Sequence, residues 1–147
     1  MAIIDKEIYK NIEKMLYNYN AMKDLYKEMQ EDIIFSGHKE KELVQESGYY
    51  SDPTSRAGIE LAGLKDIEDW IKVIKKVCEK FEGNEKGLLL RMHYFDKWRA
   101  EKIQFHLHIE RRTYYMWRND IVLYTALVAQ KYNLIDIEKE TIKIIDI

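Results

Sequence analysis

Residues 98–118 read WRAEKIQFHLHIERRTYYMWR, and this pattern predicts two helices joined by a tight turn. The first helix is expected over residues 98–106, the turn over residues 107–109, and a longer second helix over residues 110–132. Apolar side chains recur where two crossing helices would meet, at Ile103, Leu107, Ile109, Tyr114 and Trp117. This spacing is typical of a helix-turn-helix, whose second helix keeps its opposite face free.

The composition of the whole chain favours an all-α protein of one folded unit, or a core with one appendage. Its 147 residues are 46% apolar and include one proline and six glycines, which favours long uninterrupted elements over a β sandwich. The single cysteine, Cys78, excludes a disulfide framework and a multi-cysteine zinc finger. No apolar run approaches the roughly 20 residues that cross a bilayer, and no signal peptide is apparent, so we expect a cytoplasmic protein without a membrane partner.

Positive charge is concentrated in one part of the chain. Residues 86–120 hold 8 basic and 4 acidic side chains, whereas residues 1–50 hold 7 basic and 10 acidic ones. The net charge of the whole chain is only −2, so the basic excess is local. It favours a docking surface for a polyanion such as DNA.

The N-terminal part of the chain carries a heptad repeat of apolar side chains. Its members are Ile8, Ile12, Met15, Tyr19, Met22, Tyr26, Met29 and Ile33. Steps of four and three predict one helix over residues 5–33 that pairs as a coiled coil, either within the chain or between chains. A polar loop over residues 35–53 then leads to a second long helix over residues 54–81, which predicts an antiparallel hairpin.

Three parts follow from this organisation: an oligomerising helical hairpin at residues 1–83, a helix-turn-helix unit at residues 84–135, and a tail at residues 136–147. Asn84 is expected to open a short helix that ends near Phe95. The tail is β-prone but short and terminal, so no strand is expected there. We expect the heptad helix to form a homodimer or a higher homo-oligomer, which would bring two second helices to one DNA site.

Two groups of side chains are candidates for contacts with double-stranded DNA. Those expected to read bases lie on the second helix, at Arg111, Arg112, Tyr115, Met116 and Asn119. Those expected to contact phosphates are Lys97, Arg99, Lys102 and Arg118. Arginine presents two donors that match guanine O6 and N7, and basic side chains at the edges pair with the DNA backbone. The alternative is a plain helical hairpin inside a bundle, without DNA.

The sequence favours neither a catalytic site nor a metal site. It contains no phosphate-binding glycine loop, nucleophile elbow or catalytic triad pattern, so we expect no enzyme and no cofactor. His106 and His108 lack a third ligand nearby, a pattern that is usually unrelated to metal. The carboxylates of the first helix, Glu13 and Glu28 among them, are expected to form a solvated face.

The run from Leu88 to Ile135 resembles the C-terminal half of the ArpU/RinA-type phage and prophage late-transcription regulators, a half that is itself similar to region 4 of sigma factors. The matching features are Tyr94-Phe95, Ile103, Leu107-x-Ile109, Thr113-Tyr114-Tyr115 and Leu134-Ile135. The likeness extends upstream to about Tyr49, through YYSDPTSRAGIELAGLKDIEDWIKVI. Two positions depart from the family pattern. His108 stands where glycine often fills the turn and is expected to need a less common backbone, and Glu110 replaces the usual Ser or Thr cap and is expected to cap only through its longer carboxylate.

The resemblance implies a sigma-region-4-like unit that binds near a late promoter of a phage or prophage in a bacterial host and activates late genes. Two alternatives remain open. One is a small terminase-like DNA-packaging subunit, although such proteins more often place the DNA-binding unit before the oligomerising helices. The other is a sigma-like module that binds host RNA polymerase without touching DNA.

Overall fold

The computed structural model confirms the all-α class. The structure describes residues 4–32 and 53–145, with side chains from residue 63 onward in the second range. The helices are α1 (Lys6–Tyr17), α2 (residues 19–32), α3 (Pro53–Lys80), α4 (Glu85–Leu90), α5 (Ala100–Leu107) and α6 (Arg111–Lys131), and a π-helical turn (Arg91–Phe95) follows α4 directly. Two short strands, β1 (Ile135–Asp136) and β2 (Thr141–Ile142), follow α6.

The predicted continuous N-terminal helix is wrong at Asn18, where α1 ends before α2 begins. Asp5 caps the start of α1 by accepting a hydrogen bond from the Glu7 N–H (2.9 Å). At the other end, the Tyr17 carbonyl accepts a hydrogen bond from Lys97 Nζ (2.6 Å), although a continuous helix would use this carbonyl for the amide four residues on. Ile33 and the predicted loop up to residue 52 lie outside the described residues.

One hydrophobic core gathers side chains from all six helices, from the π-helical turn and from the segment after α6. The heptad members Ile8, Ile12, Met15 and Met22 are at most 1% exposed within a single chain. These members therefore pack inside the chain, where α1 contacts α6 and the π-helical turn, and the predicted oligomer stays a prediction. Because α1 and α6 share this core, the predicted boundary at residue 83 does not separate two cores.

The region between α3 and α5 begins with a capped helix, as predicted. The Asn84 side chain accepts a hydrogen bond from the Lys86 N–H (2.8 Å) and so opens α4. The preceding Gly83 has a φ of 76°, in the left-handed region that favours glycine. α4 then widens into the π-helical turn, where the Asp96 N–H donates to the Arg91 carbonyl five residues back (2.8 Å).

The tail forms a small antiparallel hairpin, so the expectation of no strand there is wrong. Ile135 pairs with Ile142, and Asp136 pairs with Thr141. A lone two-stranded ribbon is marginal in water, but Ile135 is only 4% exposed and packs into the core. The Trp70 indole N–H also donates to the carbonyl of Lys143 (2.7 Å), which fastens the hairpin to α3.

Candidate nucleic-acid interface

The turn between α5 and α6 is closed by a Schellman motif. The His108 N–H donates to the Phe105 carbonyl (3.4 Å), and the Ile109 N–H donates to the Gln104 carbonyl (3.0 Å). His108 adopts a left-handed backbone, with φ 55° and ψ 47°, for which glycine is the usual residue. His108 therefore keeps the turn backbone that glycine would adopt, and the less common turn expected there is not formed.

Glu110 precedes α6 in an extended conformation and makes no capping hydrogen bond through its side chain. The expectation that its carboxylate caps the helix is thus wrong, because the N-cap geometry favours the shorter side chains of Ser, Thr, Asp and Asn. The first turn of α6 instead carries the two positive side chains of Arg111 and Arg112. The positive end of the helix dipole lies at the same place, so this end of α6 is attractive to anions.

The five candidate base-reading side chains are all exposed on α6, at Arg111, Arg112, Tyr115, Met116 and Asn119. Met116 is 53% exposed although it is apolar, whereas Tyr114 is fully buried. The Arg111 guanidinium lies 5.6 Å from the centre of the Tyr115 ring. The outer face of α6 therefore combines two guanidinium groups, two largely apolar side chains and an amide.

Arg118 is not free to contact a phosphate, contrary to the prediction. Its Nε and Nη2 donate to the two carboxylate oxygens of Glu13 on α1 (2.8 and 3.0 Å), and the Tyr94 hydroxyl donates to the same carboxylate (2.7 Å). Glu13 is only 8% exposed, so the expected solvated face is wrong at this residue. Because a buried carboxylate needs a charged or hydrogen-bonding partner, Arg118 serves to join α6 to α1.

The other phosphate candidates lie exposed on or beside α5. Arg99 precedes the helix, and Lys102 lies on it with Nζ 4.0 Å from the centre of the Trp98 ring. Lys97 is exposed too, but its ammonium group is bonded to the Tyr17 carbonyl and fastens the end of α1. Arg99 and Lys102 are therefore better placed than Lys97 to meet a DNA backbone.

His93, in the π-helical turn, is a junction residue that the sequence reasoning missed. The Tyr17 hydroxyl lies 2.7 Å from its Nε2, and the Tyr114 hydroxyl lies 2.9 Å from its Nδ1. Burial, followed by the charge of Arg118, lowers the pKa of His93 to about 4, so the ring is neutral at pH 7. A neutral imidazole has one N–H, so one tyrosine donates and the other accepts. The available signal was a histidine within the apolar run of residues 88–95, since a buried polar group needs a partner.

α1 also reaches one of the candidate base-reading side chains directly, because the Tyr9 hydroxyl donates to Asn119 Oδ1. Contacts along α1 therefore pair its earlier residues with later residues of α6, from Glu13 with Arg118 to Tyr9 with Asn119. α1 therefore lies beside the exposed face of α6 that carries the candidate base-reading side chains.

Neither a metal site nor a membrane span was found in the part of the chain that the structure describes. Across residues 4–32 and 53–145, no group of three His, Cys, Asp or Glu side chains is arranged to hold a metal ion. Over the same residues, no helix combines the length and the apolar character needed to cross a bilayer. His106 and His108 are both exposed.

Comparison with known proteins bears on the family of the chain. No curated protein and no solved structure matches it significantly. A family model described as a protein of unknown function, DUF1492, matches residues 28–126, well over half of the chain. The matched range holds α3, α4, α5 and most of α6, with the turn that joins α5 to α6, and it leaves out α1. The chain therefore belongs to the DUF1492 family.

Proposed function

We propose that the chain binds double-stranded DNA sequence-specifically through the outer face of α6 and regulates transcription from that site. The observation that carries the proposal is the face itself, because basic, apolar and amide side chains are exposed together on a helix whose back is buried. A plain helical hairpin inside a bundle gives no reason for this combination. A helix that enters the major groove needs it.

Each side chain on this face suits a particular group in the major groove. Arg111 and Arg112 match O6 and N7 of guanine, and Tyr115 and Met116 suit the methyl group of thymine. Asn119 presents its Nδ2 donors to acceptors in the groove while its Oδ1 accepts from Tyr9.

Arg99 and Lys102 supply contacts of a different kind. Both are exposed at the N-terminal end of α5. The first helix of a helix-turn-helix crosses the DNA backbone when the second helix lies in the groove. Contacts with phosphates fix the position of the protein on the duplex and carry no sequence information. These two side chains therefore contribute affinity, and the face of α6 contributes specificity.

The role in transcription rests on the resemblance of the run from Leu88 to Ile135 to ArpU/RinA-type regulators. On that basis the chain activates late genes of a phage or prophage in the cytoplasm of a bacterial host. As a homodimer it would place two α6 helices on half-sites about 34 Å apart, one turn of DNA. The buried heptad side chains leave such a dimer to form through another surface.

The test begins with capture of the DNA bound in the native host, followed by titration of the captured duplex and a scrambled duplex. We expect Arg111→Ala/Arg112→Ala to lose about 1–3 kcal/mol of specific affinity for each arginine that reads a guanine, with an unchanged melting temperature. The matched control, Lys65→Ala/Lys75→Ala, removes the same charge from exposed positions on α3 and should leave both affinities unchanged.

Other outcomes separate the alternatives. If the double arginine variant binds the captured duplex as tightly as wild type, α6 is not the recognition helix and the plain hairpin takes its place. Capture at a packaging site instead of a promoter would favour the terminase-like function. Binding to host RNA polymerase without retention on any duplex would favour the polymerase-binding module.

A further inference from the structure

The surface of α1 is organised in three neighbouring rows, because residues four apart stack along a helix and adjacent rows differ by three positions. The innermost row is apolar and buried, and comprises Ile8, Ile12 and Leu16. The second row contacts α6 and the π-helical turn, and comprises Tyr9, Glu13 and Tyr17. The third row is basic, and comprises Lys6, Lys10 and Lys14.

The surface of α6 has the same order beside the contact with α1. Tyr114 and Arg118 belong to the row that is bonded to α1 and the π-helical turn. The next row outward comprises Arg111, Tyr115 and Asn119. The hydrogen bond from Tyr9 to Asn119 joins the row of α1 beside the lysines to this exposed row of α6.

We propose that Lys6 and Lys10, which we call the α1 ridge, form a second binding element for the phosphodiester backbone of the DNA that α6 enters. The proposal rests on the proposed function of α6. Both lysines are exposed and lie one helical turn apart. They stand immediately outside the row that docks α1 against the recognition helix.

The dimensions of DNA fit this arrangement. Neighbouring helices pack with their axes 8–10 Å apart, and the major groove is about 12 Å wide. A helix beside the one that fills the groove therefore stands over the wall of the groove, where the phosphates lie. Lysine suits this position because its ammonium group is a mobile point charge that needs no fixed geometry.

The α1 ridge is basic although the net charge of residues 1–50 is negative. That region is acidic in total, with 10 acidic and 7 basic side chains. Glu13, the carboxylate of α1 nearest to α6, is buried and neutralised by Arg118, so it does not repel a phosphate. The basic row itself contains no acidic residue.

The test compares the salt dependence of DNA binding between wild type and Lys6→Ala/Lys10→Ala. Each phosphate contact contributes about 0.9 to the slope of log affinity against log salt, so the double variant should lower the slope by about 1.8. Its affinity should fall equally for specific and scrambled duplexes, because phosphate contacts carry no sequence information. Lys6→Arg/Lys10→Arg keeps the charge and should keep the wild-type slope.

The matched control is Lys23→Ala/Lys27→Ala on α2, two lysines that are also exposed and four residues apart, and it should show the wild-type slope. A wild-type slope in Lys6→Ala/Lys10→Ala would overturn the ridge and leave the proposed function intact, provided that wild type binds DNA. An equal decrease in the α2 control would also overturn it, since the effect would then be one of general charge. Absence of DNA binding by wild type would overturn both proposals. Should the double variant melt below wild type, Lys10→Gln alone is measured, with an expected decrease of about 0.9.

Discussion

His93 lies between the hydroxyls of Tyr17 and Tyr114, close to the charged pair of Glu13 and Arg118. Burial, more than any charge, lowers its pKa from 6.5 to about 4 in the folded chain. Above pH 6.5 the ring is neutral in both the folded and the unfolded chain, so its full contribution to the free energy of unfolding is present. As the pH falls from 6.5 to 4, the unfolded chain takes up a proton that the folded chain does not, so the free energy of unfolding decreases.

Urea unfolding at several pH values between 7 and 4 measures this effect. One proton gives a slope of at most about 1.4 kcal/mol per pH unit, and the part-buried ring should give less. We expect His93→Gln to lose this part of the pH dependence, because glutamine does not titrate. The exposed His106→Gln should behave as wild type, and equal slopes in wild type and His93→Gln would contradict the assignment.

At the scale of the element, the turn between α5 and α6 places a histidine in a conformation that suits glycine. A left-handed residue with a side chain costs roughly 1–2 kcal/mol, and glycine recovers part of this despite its greater freedom in the unfolded chain. We expect His108→Gly to raise the free energy of unfolding by about 1 kcal/mol. His106→Gly, inside α5, should lower it by about 1 kcal/mol. Chemical unfolding of both variants checks the prediction, and destabilisation by His108→Gly would show that the side chain contributes a contact that outweighs the strain.

Local signals in the sequence predicted the elements to within about one or two residues where caps and turns define them. Pro53 begins α3, Asn84 caps α4, and the turn at His108 ends α5. The break at Asn18 could not be predicted in this way, because the carbonyl beside it is bonded to Lys97, which is 80 positions from Tyr17 in the chain. Periodicity within one helix carries no information about such a distant donor.

At the scale of the whole molecule, the heptad side chains stabilise a single chain. Ile12 and Met22 are 0% exposed, so aspartate at both positions would bury unpaired carboxylates. A domain is stable by only about 5–15 kcal/mol, so we expect Ile12→Asp/Met22→Asp to lose its cooperative thermal transition. Leu127→Asp, at a position that is 57% exposed, should melt close to wild type. If the double variant stays folded and has a lower mass than wild type by light scattering, the prediction fails, because the heptad side chains would then pair between chains.

Of the candidate site, only the exposed side chains on the outer face of α6 could be predicted from the sequence. Helical spacing was enough to place Arg112 and Met116 on the exposed side of α6. It was not enough for Arg118, because its partner Glu13 lies 105 positions earlier. The same holds for His93, whose environment depends on α1 and α6 meeting across the core.

The ion pair between Glu13 and Arg118 has an evolutionary consequence. The family match begins at residue 28, so Arg118 belongs to the matched range and Glu13 does not. If Glu13 alone were replaced by an uncharged residue, the Arg118 cation beside the buried Tyr94 would lose its carboxylate partner. The cost in stability would be about 3–5 kcal/mol if the pair were fully buried. We therefore expect the two positions to be inherited as a pair, so that relatives without an acid at position 13 carry an uncharged residue at position 118. A residue outside the matched range then constrains which side chains α6 can carry inside it.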